Sequence, residues 1–187
     1  MDSDFFPSGL AFDRLDNTLI VCQNQQSNGV SVGVAPIECL QKYSTANPSR
    51  KCNVTSEHLF SHPCRVRKNA NTDIIVSDSE TNSIVIMKNN GQLKSMFTGN
   101  DVFKMNGSHS FVCDLQSNIL VLSQDKQAKA GKSCDNVCLL DESGDLIDTF
   151  CIEEIKNKIM NAMAITDLGF LWIGGEDGIF IFDYQIY

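Results

Sequence analysis

His62-Pro63-Cys64-Arg65-Val66-Arg67, Asp73-Ile74-Ile75-Val76-Ser77-Asp78 and Asn82-Ser83-Ile84-Val85-Ile86 are three short runs rich in β-branched residues, separated by polar steps. A fourth run, Leu93 to Thr98, follows Asn90-Gly91. Val and Ile suit a pleated, half-buried surface, and Asn-Gly supplies the backbone that a tight hairpin needs. The segment reads as four antiparallel strands joined by short turns.

The same order recurs on both sides. Upstream, Pro7-Ser8-Gly9-Leu10-Ala11-Phe12-Asp13 leads to Thr18-Leu19-Ile20-Val21-Cys22, Gly29-Val30-Ser31-Val32 and a fourth strand expected over Glu38 to Tyr43. Downstream, Ser108 to Asp114 leads to Asn118 to Leu122, Asn136 to Leu140 and, past Ser143-Gly144, Asp145 to Phe150. A last unit runs Asn161 to Asp167, Phe170 to Gly174 and Gly178 to Phe182. The aligned second strands, at Val21, Val76, Val121 and Ile173, are 55, 45 and 52 positions apart. That spacing is the period of propeller blades. A β-sandwich explains many short strands, but not a fourfold recurrence of one internal order. The expected fold is an all-β β-propeller region spanning 1–187, with about four blades near 5–50, 60–99, 107–151 and 160–187. One segment departs from it. Ile152, Ile155 and Ile159 share a helical face, which predicts a short helix between the third and fourth units.

The chain has 187 residues, 42% hydrophobic and 20% charged, a balance that supports a folded core. A net charge of −8 disfavours phosphate backbones. No apolar run approaches the length of a membrane helix, and Asp2 and Asp4 stand where a signal peptide carries base. A cytoplasmic chain with no membrane span is expected. The eight cysteines lie largely in apolar runs with no Cys-x2-Cys pair, so free thiols are expected over a disulfide framework or a zinc site.

Catalytic motifs fare poorly in this reading. Gly131-Lys132-Ser133 imitates the end of a phosphate-binding loop, but Lys126 occupies the required first glycine position. Asp13, Asp114 and Asp167 recur after the first strand of their units, where aspartate closes tight turns. His62 and His109 share one repeat position and read as loop hydrogen-bonders. No catalytic residue, metal or cofactor is expected. What remains is a loop face for a protein partner, built from His62, Asp78, Asn82, His109, Gln124, Lys126, Lys129, Lys132, Glu176 and Asp177.

Gly9-Leu10-Ala11-Phe12-Asp13, the run Ile74 to Ile84 and Asn90-Gly91-Gln92-Leu93 resemble NHL repeats, which form the C-terminal propeller of many tripartite-motif (TRIM) proteins. The resemblance implies a substrate-recruiting module of a ubiquitin-ligase type protein, without catalysis in this chain. It also implies six blades, so a chain with about four reads as part of a larger ring. A second reading is RNA binding through Lys126, Lys129 and Lys132, as in some NHL propellers. A third is a calcium-dependent lactonase-like hydrolase.

Overall fold

The computed structural model describes residues 5–13, 18–25, 29–36, 52–53, 59–105, 110–123, 137–155 and 158–184. Their strands form four antiparallel sheets, taken here as blades 1 to 4. Blade 1 contains β1 (Phe5–Asp13), β2 (Thr18–Gln25), β3 (Gly29–Pro36) and β4 (Cys52–Asn53). Blade 2 contains β5 (Pro63–Lys68), β6 (Ile74–Asp78), β7 (Ser83–Met87) and β8 (Leu93–Phe97). Blade 3 contains β9 (Ser110–Cys113), β10 (Ile119–Leu122), β11 (Val137–Leu140) and β12 (Leu146–Phe150). Blade 4 contains β13 (Met160–Ile165), β14 (Phe170–Gly175) and β15 (Gly178–Asp183). In every blade the strands are ordered in the sheet as they are in the chain.

Period-two alternation sends each strand's side chains to two neighbouring blades. In β6, Ile74 and Val76 pack with Ala11, Ile20 and Cys22 of blade 1. Ile75, between them, packs with Phe111, Ile119 and Val121 of blade 3. In β10 the roles repeat: Leu120 and Leu122 face Met163, Leu171 and Ile173 of blade 4. Among the described residues the core is therefore three apolar layers, one between each pair of successive blades. Fully burying one such aliphatic side chain contributes about 1.5–3 kcal/mol, and Ile74, Ile75, Val76, Ile84, Val85 and Ile86 are all at 0% exposure.

Aspartates close several turns. Asp114 Oδ1 accepts the backbone N–H groups of Gln116 (2.9 Å) and Asn118 (2.8 Å), and Asp141 Oδ1 accepts those of Ser143 (2.8 Å) and Asp145 (2.9 Å). Gly144, at φ 89°, takes the left-handed position of the second of these turns.

Two local expectations are corrected. The helix over 152–159 is a single 3₁₀ turn at Glu153–Ile155. Ile155 N–H donates to the Ile152 carbonyl, and Lys158 N–H to the Ile155 carbonyl, both three residues back. Only Ile155 of the apolar trio is buried, and Ile159 is 47% exposed. Bonds that reach three residues back make a tight 3₁₀ turn, not an α-helical ladder. In blade 1, the strand that pairs with β3 is Cys52–Asn53; Glu38 to Tyr43 lies outside the described residues.

Beside β15, where the other three sheets carry a fourth strand, there is a groove of about 830 Å³. Ile147 and Phe150 of blade 3 and Phe182 and Tyr184 of blade 4 form its walls. Among the described residues no helix is long and apolar enough to cross a membrane.

Candidate functional site

The first strands of the blades lie innermost, and three of them share an irregularity. The register of β1 shifts between Pro7 and Gly9, that of β5 between Pro63 and Arg65, and that of β13 between Met160 and Ala162. Ser8, Cys64 and Asn161 are the extra residues of three equivalent β-bulges. A bulge drops one residue from the ladder and re-aims it. Proline at positions 7 and 63 fits, since it has no N–H to give to the ladder.

These bulged segments meet one another. Ser8 Oγ donates to the Pro63 carbonyl, and the Arg65 guanidinium reaches across to the Asn161 carbonyl in blade 4. Gly9 lies so close to β5 that a Cβ there would sit 2.7 Å from the Cys64 carbonyl oxygen. Ser8, Gly9, Leu10, Cys64, Arg65 and Arg67 help to line a cavity of about 430 Å³ between β1 and β5. Two cations stand side by side at this cavity. Burial first, and then the charge of Arg67, hold the Arg65 guanidinium below its ordinary pKa. Arg67 also donates to the Leu10 carbonyl at 3.4 Å.

At the same end of blade 2 three polar side chains converge. His62 Nδ1 lies 2.9 Å from Ser79 Oγ and 3.4 Å from Cys64 Sγ. Cys64 Sγ donates to Ser79 Oγ at 3.1 Å. His62 is exposed and Cys64 half-buried, so the group borders solvent. Asp78 anchors it from below. Its Oδ2 accepts the N–H groups of Ser61 (2.7 Å) and His62 (2.9 Å), and its Oδ1 those of Glu80 and Thr81 (both 3.1 Å). Burial pushes the Asp78 carboxyl up, but the four backbone donors outweigh it and hold it below the usual carboxylate range.

The loop residues expected to recognise a partner divide into three groups. His62, Asp78, Asn82, Glu176 and Asp177 do lie at one end of the blades, at the start of the first strands and in the turns after β6 and β14. Asp78, however, is 0% exposed and spends its carboxylate on four backbone bonds, so it positions the loop instead of meeting a partner. His109, Gln124, Lys126, Lys129 and Lys132 lie outside the described residues. Cys64, Arg65 and Arg67 were absent from the expected set. The signal that could have found them is the pair Pro7-Ser8 and Pro63-Cys64, a proline followed by a small polar residue at one repeat position.

Calcium does not fit the carboxylates placed here. Among the described residues no three His, Cys, Asp or Glu side chains converge to hold a metal ion. The oxygens of Asp78 and Asp114 are taken by backbone and side-chain donors. Cys22, Cys64, Cys113, Cys138 and Cys151 are thiols that form no disulfide.

No known family profile and no curated protein matches the chain. Solved structures do match its fold. A gluconolactonase from Xanthomonas campestris is 13% identical, with a TM-score of 0.61 over 94% of this chain and 56% of that one. A catalytically inactive histidine-to-alanine variant of virginiamycin B lyase from Staphylococcus aureus, solved with quinupristin, is 10% identical, with a TM-score of 0.61 over 99% and 58%. A streptogramin B lyase is 10% identical, with a TM-score of 0.52 over 96% and 55%. This chain thus spans a little over half the length of the structures it matches. The fold is an all-β propeller, and the comparisons do not extend to the NHL type. They correct the expectation that catalysis has no place here, because the propellers to which the chain is similar are enzymes.

Proposed function

We propose that the chain contributes to a propeller enzyme that opens a cyclic ester, with its reacting groups where the bulged first strands converge. The observation that carries this reading is the His62–Ser79–Cys64 cluster, bordering a cavity with two adjacent arginines. The likeness to a gluconolactonase, and to a lyase whose histidine variant is inactive, supports it at the level of the fold.

In this reading His62 is the general base. It takes a proton from a water molecule, whose oxygen adds to the acyl carbon of the lactone. The ring C–O bond then breaks, and the imidazolium returns the proton to the departing alkoxide. Ser79 holds the imidazole at Nδ1, while Arg65 and Arg67 favour the oxyanion that forms on the carbonyl. Asp78 fixes the His62 backbone and takes no part in proton transfer.

The test is proton release from gluconolactone by the purified chain, read with a pH indicator, beside turnover of quinupristin read by mass spectrometry. His62→Ala should lower the rate by about 100-fold or more, with folding checked by circular dichroism. If the folded chain turns over neither compound above the rate in buffer, the reading falls.

A further inference from the structure

Arg65 and Arg67 leave the same side of β5, while Val66 between them turns the other way and is buried in the layer against blade 1. Both arginines help to line the cavity of about 430 Å³ between β1 and β5. Among the described residues no carboxylate lines that cavity, and neither guanidinium is in an ion pair. Their hydrogen bonds go to neutral acceptors: the Asn161 carbonyl for Arg65, the Leu10 and Val66 carbonyls for Arg67. A guanidinium carries five N–H donors, so most of them remain available to a molecule in the cavity.

Two like charges side by side repel, and Arg65 is half-buried, so water screens that repulsion incompletely. The chain has a net charge of −8, yet no described carboxylate is set against this pair. A transient oxyanion compensates one positive charge, and only while it lasts. A neutral lactone would leave the other charge unmatched throughout. Carboxylate and phosphate oxygens fit the planar fork of a guanidinium, which holds them by two parallel bonds. Position along β5 divides the work. Arg65 follows Cys64 of the His62–Ser79–Cys64 cluster, and Arg67 lies about 7 Å further along the strand. The cavity volume is within the range of small-molecule sites, about 300–1,000 Å³.

We infer that the substrate is a lactone carrying a permanently ionised group, carboxylate or phosphate, which Arg67 holds while Arg65 serves the acyl oxygen. The lactone rests on the catalytic reading above; the anion site itself does not, and two measurements keep them apart.

Calorimetric titration of the purified full chain with three open-chain acids, gluconate, gluconate 6-phosphate and glucarate, probes the site without turnover. The phosphate or the dicarboxylate should bind at least about tenfold more tightly than gluconate, the gain from one charge-assisted contact. Which of the two gains tells phosphate from carboxylate. Arg67→Gln should remove the gain and Arg67→Lys keep part of it. Arg67 is exposed, and circular dichroism checks that both variants remain folded. Equal or absent binding of the three acids overturns the inference, as does a gain that survives Arg67→Gln. Hydrolysis of the three corresponding lactones is the second measurement. Gluconolactone opened with the same kcat/KM as both charged lactones overturns the inference and leaves the catalytic reading standing. Charged acids held through Arg67, with no lactone opened, support the anion site and bring down the catalytic reading.

Discussion

The hydroxyl of Tyr184, just past the last strand, donates a hydrogen bond to Asp114 Oδ2 at 3.1 Å across 70 positions of sequence. Asp114 closes the turn between β9 and β10 with its other oxygen. The bond pins the outer end of blade 4 to a turn of blade 3, beside the groove that β15 leaves open. Burial, and then the Asp114 charge, raise the Tyr184 phenol above its ordinary pKa.

Tyr184→Phe should therefore cost about 1–2 kcal/mol, seen as a lower Tm at neutral pH. The pH dependence has a definite sign. A raised folded-state pKa means that the contribution is complete below the ordinary phenol value, near pH 10, and is lost as pH rises beyond it. The Tm difference between wild type and Tyr184→Phe should be constant up to about pH 9.5 and shrink above it. A difference that stays constant through pH 11 would show that the bond does not form.

Asp78→Asn replaces four accepted backbone bonds with an amide that can accept only on one side. The expected loss is about 2–4 kcal/mol, because buried N–H groups are left facing a donor. Here the folded-state pKa is depressed. The stabilisation is full above the ordinary carboxylate value of about 4 and is lost as pH falls through the folded value. Urea midpoints for the two proteins should differ clearly at pH 7 and converge in acid. Equal midpoints at pH 7 would contradict the anchoring role.

Thiol labelling should separate the cysteines by burial. Burial pushes the thiols of Cys22, Cys113 and Cys138 up to about 12, so at pH 8 they stay protonated and slow to react. Cys64 and Cys151 are half-buried and should react first with iodoacetamide. Peptide-resolved mass spectrometry would then show the buried Cys22 and Cys138 modified only when denaturant is added, and the half-buried Cys113 modified more slowly than Cys64. Labelling of Cys22 at the rate of Cys64 in the native protein would contradict the packing between blades 1 and 2.

Much of the fold was legible because β-blades are local. Each hairpin depends on neighbours in sequence, so the alternation through Ile74, Ile75 and Val76 and the turn at Asn90-Gly91 reveal the strands without knowledge of the rest. The 3₁₀ turn at Glu153–Ile155 was misread because three isoleucines at helical spacing carry no information on whether the connection has room for a helix. The site was mostly hidden. A bulge at Cys64 exists only in relation to the partner register of β6, and Arg65 meets Asn161 only once blade 3 has folded between them and blade 4 has packed beyond it.

Residue order alone set the all-β class, the recurrence of one plan of short strands and the aspartate-closed turn at Asp114, since strand propensity, turn chemistry and period-two patterning act over a few residues. Tertiary packing selected the rest. It turned Asp78 from an expected surface contact into a buried anchor, and gathered Ser8, Cys64, Arg65 and Asn161 at one place. Those outcomes depend on which sheets stack, and stacking is settled by burial across distances of 50 to 100 residues that no local pattern encodes.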